Sequence, residues 1–286
     1  MNTQFWLIQA FNGISYGALL FLVGSRLSLI FGVMRIVNLS HGSYFLLGGY
    51  VALSVIWTTG SWALALPVAA LAIAVVGLLM ERIFLRPLGF DPLRQVLLTV
   101  GFAFLFQQAA LDIWTGNNFD INPPEALTRS IVIGGLYLPL YRVFMIAMAA
   151  AIGLALWLVM EKTRMGAAVR ATVDDAQMAR GVGIDTSRIS MFIFALGAFL
   201  AALGGVIGGA FLGIYPGLDF EMLPIAFAVV IIGGMGSLGG AAIGALLVGL
   251  ADNFGKALFP EVSYFTLYAP MALILAVKPT GLFGRE

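Results

Sequence analysis

Long apolar runs alternate with short polar segments along almost the whole chain. Several runs contain no charged residue at all; they cover 1–25, 36–80, 95–111, 143–160, 189–218, 222–251 and 262–277. A membrane-spanning helix needs roughly 20 mainly apolar residues, so several of these runs are long enough alone, and 36–80 can hold two spans. The pattern predicts an all-α, polytopic helical membrane protein.

The runs also predict where the individual helices lie. We expect spans near 5–31, 43–59, 62–82, 95–114, 139–160, 189–212 and 262–278, plus a glycine-broken region at 222–256. Splitting that region at IIGGMGSLGG gives 222–234 and 238–256 and a total of nine crossings, whereas one unbroken helix gives eight. We favour the split, because Lys278 and Arg285 indicate a cytoplasmic C-terminus.

Basic residues indicate which loops are cytoplasmic, since Lys and Arg concentrate on that side of a membrane. They cluster at 81–94 and at 161–188, whereas 115–138 carries a single one. The first two segments are therefore predicted inside and the third outside. This orientation places the N-terminus outside and brings Arg26 and Arg35 to the inner side.

Composition excludes several kinds of chemistry. The chain has no cysteine, and its one histidine, His41, has no partner at metal-ligand spacing. No GxxxxGK[ST] phosphate loop occurs, and a net charge of +1 without a basic stripe gives no case for nucleic acid. We therefore expect no catalytic residue, no metal and no cofactor bound by this chain.

Acidic residues near the spans fall at predicted helix ends rather than centres, which disfavours a proton-driven carrier. They are Asp112, Asp219, Glu221, Asp252 and Glu261.

Two glycine-rich stretches, 32–50 and 233–244, interrupt the apolar pattern. Irregular backbone at membrane depth survives only where protein or a watery cavity satisfies it, so such interruptions mark a candidate substrate pathway. The candidate residues are Asn38, Ser40, His41, Gly42, Gly233, Gly234, Gly236 and Ser237. Tight helix packing through glycine is the alternative for both stretches.

The first of these stretches suggests a helix that begins inside the membrane. Asn38 or Ser40 is expected to cap a helix starting at 41–44, and its positive end would then favour a passing α-carboxylate. A plain cap with His41 bonded to backbone is the alternative, and Arg35 could equally be an interfacial anchor.

Nine charged residues lie between Glu161 and Arg188, so this segment cannot sit in lipid. Thr172 precedes Asp175 by three residues, a spacing like that of a capping box. A short helix from about 173 to 180 is expected to follow, ended by Gly181 and Gly183. Its surface is small and smooth, so we expect it to be stable only when packed against something.

The run MGAAVRATVDDAQMARGVGIDTSR (165–188) resembles the cytoplasmic loop of ATP-binding-cassette (ABC) importer permeases. More closely, it resembles the branched-chain amino acid permeases of the LivH type. Three further blocks agree: SLIFGVMRIVNLSHGSYFLLGGYVA (28–52), VVIIGGMGSLGGAAIGALLVG (229–249) and KPTGLFG (278–284).

The resemblance implies a type II ABC importer-like permease, with 1–286 as a single transmembrane domain and a coupling loop at 161–188. It implies ATPase partners that bind ATP and Mg, a second permease subunit (LivM-like or a second copy), a periplasmic solute-binding protein and the bacterial inner membrane. Residues 172–184 would form the coupling helix. The residues expected to carry coupling are Thr172, Asp174, Asp175, Ala176, Met178, Ala179, Gly183 and Ile184.

Branched-chain or related amino acids are the expected substrates, with amides, urea or other small polar solutes as the alternative. A self-sufficient secondary carrier would instead need ionisable residues in mid-span. A membrane-embedded enzyme is disfavoured, because no catalytic constellation occurs.

Overall fold

The computed structural model describes residues 3–34, 38–89 and 91–284, and these residues are mainly helical. The helices are α1 (Thr3–Met34), α2 (His41–Thr59), α3 (Trp62–Met80), α4 (Pro92–Trp114), α5 (Leu140–Lys162), α6 (Arg164–Asp174), α7 (Ala176–Gly181), α8 (Thr186–Leu212), α9 (Leu218–Gly233), α10 (Leu238–Leu258) and α11 (Ser263–Val277). Shorter helical turns lie at Glu81–Leu85, Arg86–Leu88, Glu125–Leu127 and Pro260–Val262.

Six helices in the described part of the chain are long and apolar enough to cross a membrane: α1, α3, α4, α5, α8 and α10. The helical stretch that begins with α3 continues to Leu88. It passes through a wider π-helical turn at Glu81–Leu85 and then a tighter 3-10 turn at Arg86–Leu88. Helices α9 and α11 have only 16 and 15 residues, fewer than a bilayer core requires. The chain is therefore a multi-pass helical protein.

The predicted break in the 222–256 region is confirmed. Helix α9 ends at Gly233 and α10 begins at Leu238. Gly234 and Gly236 have φ values of +97° and +82°, a conformation that favours glycine. The Ser237 side chain then accepts a hydrogen bond from Gly240 N at 3.0 Å and so caps α10.

Two elements were not expected. A hairpin of strands β1 (Ser130–Ile133) and β2 (Leu136–Pro139) interrupts the all-α pattern, with Ile133 paired to Leu136 across the turn. Its two turn residues, Gly134 and Gly135, both have positive φ, as a two-residue hairpin turn requires. Helix α6 is the second surprise, because the charged segment was expected to hold only one short helix.

The chain divides into two compact units. The first unit contains Met1–Ser28, Asn122–Leu154 and Ile225–Glu286. The second unit contains Leu29–Ile121 and Ala155–Pro224.

Glycines let helices approach closely within the second unit. A Cβ atom added to Gly205 of α8 would overlap the carbonyl oxygen of Phe45 in α2. One added to Gly48 of α2 would overlap the backbone of Ala202 in α8. Helices α2 and α8 therefore contact each other through small residues. This arrangement is common in membranes, where van der Waals packing is a main attraction between helices.

The first unit uses the same device. A Cβ on Gly249 of α10 would overlap the backbone of Gly13 and Gly17 in α1, and one on Gly244 would overlap the carbonyl of Val229 in α9. Helix α10 is thus held against two neighbours through its glycines. The glycine-rich stretch at 233–244 therefore contributes to close packing.

Candidate functional site

The charged segment folds as a pair of short helices, α6 and α7, and Asp175 is the N-cap residue of α7. The Asp175 side chain accepts hydrogen bonds from Gln177 N at 2.8 Å and from Met178 N at 2.9 Å. It therefore satisfies two of the backbone donors that a helix start leaves free. The expected cap at Thr172 is wrong: Thr172 lies inside α6, where its hydroxyl donates to the carbonyl of Ala168.

The neighbouring helices are capped in the same way. Thr163 caps α6 by accepting from Gly166 N at 3.1 Å. Asp185 caps α8 by accepting from Ser187 N and Arg188 N, both at 3.1 Å. Every helix that starts within this segment thus begins at a side-chain oxygen, and each boundary is fixed by the sequence.

Gly183 ends the α7 turn, as the sequence predicted. Its φ of +89° lies in the left-handed region. The Ile184 N–H donates to the carbonyl of Ala179 at 2.9 Å, and the Gly183 N–H donates to that of Arg180 at 3.0 Å. This pair of bonds is the Schellman pattern, in which glycine reverses the chain and the last helical carbonyls are satisfied.

Helix α7 has one buried side and one exposed side. Ala179 is buried, while Met178 is 65% exposed and Val182, which lies four residues further, is 70% exposed. Val182 is the C-cap residue of α7, and its N–H donates to the carbonyl of Met178 at 3.1 Å as in a helical turn, so both side chains add exposed apolar surface to the same side.

The predicted coupling residues are accordingly divided between two environments. Asp174, Asp175, Met178 and Gly183 are exposed, Ala176 and Ile184 are half-buried, and Thr172 and Ala179 are buried. The buried pair supports the segment rather than facing a partner. Val182 was missed by the sequence reasoning, although its spacing from Met178 was a usable signal.

The second candidate region lies at the start of α2, in the second unit. Helix α2 begins at His41, within the predicted range, and His41 is fully buried. The expected side-chain cap is wrong. Ser40 has φ −73° and ψ 4°, not an extended conformation, and its hydroxyl donates to Asn38 Oδ1 at 2.7 Å instead of receiving a helix N–H. Arg35 lies outside the described residues.

Asp219 joins this region from the first turn of α9. Ser43 Oγ donates to Asp219 Oδ2 at 3.0 Å, and both residues are buried. A Cβ on Gly42 would overlap the Asp219 carbonyl, so Gly42 permits the close approach. Asp219 Oδ1 and Asn38 Nδ2 have no hydrogen-bond partner among the described residues.

Three carboxylates are buried in the protein. The sequence analysis placed two of them, Asp219 and Asp252, at helix ends, and it did not single out the third, Glu81. Asp219, Asp252 and Glu81 are each at most 3% exposed. Asp252 pairs with Lys256 at 2.7 Å, four residues along α10. Asp219 does lie in the first turn of α9, as its predicted place at a helix end requires, but the sequence did not predict that these three side chains would be buried.

The third candidate region is the turn between α9 and α10, in the first unit. Here the chain from 278 to 284 pairs with the end of α9: Leu282 N donates to Ile232 O at 2.9 Å and Phe283 N donates to Gly233 O at 3.0 Å. Ser28 Oγ donates to the carbonyl of Ser237 at 3.1 Å. The predicted pathway residues thus fall into two sets, 38–42 in the second unit and 233–237 in the first.

The long apolar helices define a multi-pass helical membrane protein, and the capped charged segment adds a compact, exposed helix. Residues 9–275 match the family model described as "Branched-chain amino acid transport system / permease component". The chain belongs to this family of permease components. It is therefore a transport subunit and not an enzyme.

Individual relatives are similar along their whole length. The high-affinity branched-chain amino acid transport system permease protein LivH of Escherichia coli strain K12 is 31% identical over 305 residues, covering 100% of this chain and 98% of that protein. LivH of Salmonella typhimurium strain LT2 is 30% identical over 308 residues with the same coverage. BraD of Pseudomonas aeruginosa is 28% identical over 297 residues, covering 98% of this chain and 96% of that protein. No solved structure shows significant similarity.

The positive φ of Gly183 predicts a difference between two neighbouring glycines. Neither Gly181 nor Gly183 has a heavy atom within 4 Å of an added Cβ, so only the backbone conformation distinguishes them. Gly183→Ala should destabilise the end of α7 by about 1 kcal/mol, the cost of an L-residue in the left-handed region. Amide exchange at 183–184 should then rise about fivefold. The control Gly181→Ala, at a helical position, should leave amide exchange at 183–184 unchanged or slower. Equal exchange in both variants would contradict the Schellman assignment.

Proposed function

We propose that the chain is the membrane-spanning permease subunit of an ABC importer for branched-chain or related amino acids. The observation that carries the proposal is α7, a capped helix in a charged loop with an exposed apolar pair, Met178 and Val182. An exposed apolar surface on a short helix is stabilised by a partner surface that buries it. We assign the partner as an ABC ATPase that binds ATP and Mg.

The proposed coupling follows from how α7 is joined to the long helices. Arg180 Nε donates to Thr186 Oγ1 at 2.8 Å, which ties the end of α7 to the start of α8. Arg170 of α6 donates to the carbonyl of Met160 in α5. Gly166 packs against the same carbonyl, where a Cβ would overlap it. A displacement of α7 by the ATPase would therefore pass to both α5 and α8.

The remaining parts of the complex are proposed from the family. Residues 1–286 would make up one permease domain with nine crossings, of which α9 and α11 would be short ones, and the charged segment would lie in the cytoplasm of a bacterial cell. A second permease, LivM-like or a second copy, completes the pathway in the inner membrane, and a periplasmic binding protein delivers the solute. Pathway residues are drawn from 38–42 and 233–237, now joined by Asp219.

The substrate class rests on the relatives, whose names specify branched-chain amino acid transport. Amides, urea and other small polar solutes remain the second choice for the same machinery. One observation favours a self-sufficient carrier, the burial of Asp219 beside Ser43. Membership of a family of permease components outweighs it, because such a component acts with other subunits.

Changing the exposed surface of α7 tests the coupling directly. Met178→Asp should abolish ATPase co-purification and reduce uptake at least tenfold, because a charge replaces the apolar contact. The control is Met165→Asp, the same change at an exposed methionine of α6. It should leave both properties within twofold of wild type. If Met178→Asp no longer co-purifies with the ATPase but still shows full uptake, the importer assignment is contradicted.

The absence of cysteine allows the nine-crossing topology to be tested with single-cysteine variants. Tyr137 in the hairpin, Met178 in α7 and Val277 at the end of α11 are all exposed. In intact cells, an impermeant thiol reagent should label Tyr137→Cys but neither Met178→Cys nor Val277→Cys. Opening the cells should expose the latter two. Labelling of Val277→Cys from outside would instead support eight crossings.

A further inference from the structure

A cavity of about 380 Å³ lies in the second unit, between the turn that follows α3 and the charged segment. Its walls come from the stretch 81–95 on one side and from α6, α7 and the start of α8 on the other. Both of these chain segments are predicted to be cytoplasmic. The cavity thus borders the coupling segment at Ala176, Arg180 and Ile184, whereas the exposed Met178 and Val182 do not line it.

Buried oxygen atoms without partners line this cavity. Glu81 and Gln95 are each 2% exposed. Glu81 Oε2, Gln95 Oε1 and Ser187 Oγ have no hydrogen-bond partner within the described part of the chain. A carboxylate and an amide oxygen can only accept, and leaving such atoms unsatisfied costs about 1–3 kcal/mol each, more for a charge. A ligand that donates several hydrogen bonds and carries positive charge would satisfy them.

The backbone at Glu81 is unusual for a helix. The Arg86 N–H donates to the carbonyl of Glu81, five residues back, so Glu81–Leu85 forms a π-helical turn. Such turns are rare, and many mark functional sites. This turn places both Glu81 and Leu85 on the cavity wall.

The other lining groups narrow the class of ligand. Arg86 and Arg180 line the same cavity, and guanidinium groups recognise carboxylates. Leu85 and Ile184 add apolar surface. The cavity therefore offers oxygen atoms that can accept hydrogen bonds from an ammonium group, guanidinium groups that can donate to a carboxylate, and apolar side chains. Together these match a zwitterion with an apolar side chain.

We propose that this cavity binds a free α-amino acid, with its ammonium group on Glu81 and Gln95 and its carboxylate toward Arg86 and Arg180. The choice of a branched-chain amino acid as ligand rests on the proposed function. A bound molecule joins the end of α3 to α7 and the start of α8. Cytoplasmic product would thereby restrain the coupling segment and slow further import.

The test uses the purified full chain in detergent, without ATPase or binding protein, and isothermal titration with three probes. L-leucine should bind saturably, isoamylamine (no carboxylate) more weakly, and 4-methylpentanoate (no ammonium) not detectably. Glu81→Gln should weaken leucine binding at least tenfold. The matched control is Glu161→Gln, which alters an exposed carboxylate 3.6 Å from Arg170 and should bind leucine like wild type.

Several results would overturn the proposal: no saturable leucine binding, equal leucine binding by Glu81→Gln, 4-methylpentanoate binding as tightly as leucine, or binding of inorganic cations alone. If Glu81→Gln does not fold, Ser190→Leu replaces it, since Ser190 also lines the cavity and a larger side chain should block leucine. Loss of uptake in Met178→Asp tests the importer assignment separately, because the isolated chain would still bind leucine.

Discussion

A chain this apolar can interrupt its helices only where other groups satisfy the backbone N–H and C=O that each break exposes. The breaks of this protein obey that constraint in specific ways. Ser237 accepts from the first turn of α10, and the chain at Leu282 and Phe283 pairs with the end of α9. Because named groups satisfy this break, the end of α9 and the start of α10 are fixed in place.

The charged segment is governed by the same constraint, although it lies outside the apolar runs. Asp175 satisfies the start of α7, and Gly183 satisfies its end by reversing the chain. A helix of six residues gains little stability from its own hydrogen bonds, so these two termini and the bond from Arg180 to Thr186 hold it in shape. What they leave exposed is the apolar pair Met178 and Val182. A rigid helix with such a surface can transmit force, whereas a mobile loop cannot.

Helix α7 also borders the cavity for which we propose an amino acid ligand. The exposed side of the helix carries Met178 and Val182, which we propose contact the ATPase, while its other side borders a space lined by Glu81 and Gln95. An occupant of that space and the ATPase would act on the same short helix from opposite sides. Import could then respond to both ATP and product through one element.

Much of this architecture follows from local sequence. The helix boundaries follow the apolar runs, and the split between Gly233 and Leu238 follows from clustered glycines, because both signals are local. The cap of α7 was misplaced, since Thr172 and Asp175 are both good capping residues and spacing alone does not choose between them. The contact of Ser43 with Asp219 could not be predicted from the sequence, because 176 residues separate them and only tertiary packing brings them together.

The central claim is that the outer side of α7 contacts an ATPase, and proximity measures that contact most directly. A cysteine placed at Val182 in this cysteine-free chain should form a cross-link through a short bifunctional thiol reagent to the ATPase co-expressed with it. A cysteine at Met165 in α6 should not. Cross-linking from Val182 alone would support the claim. Its absence from Val182 in an assembled, transporting complex would contradict it.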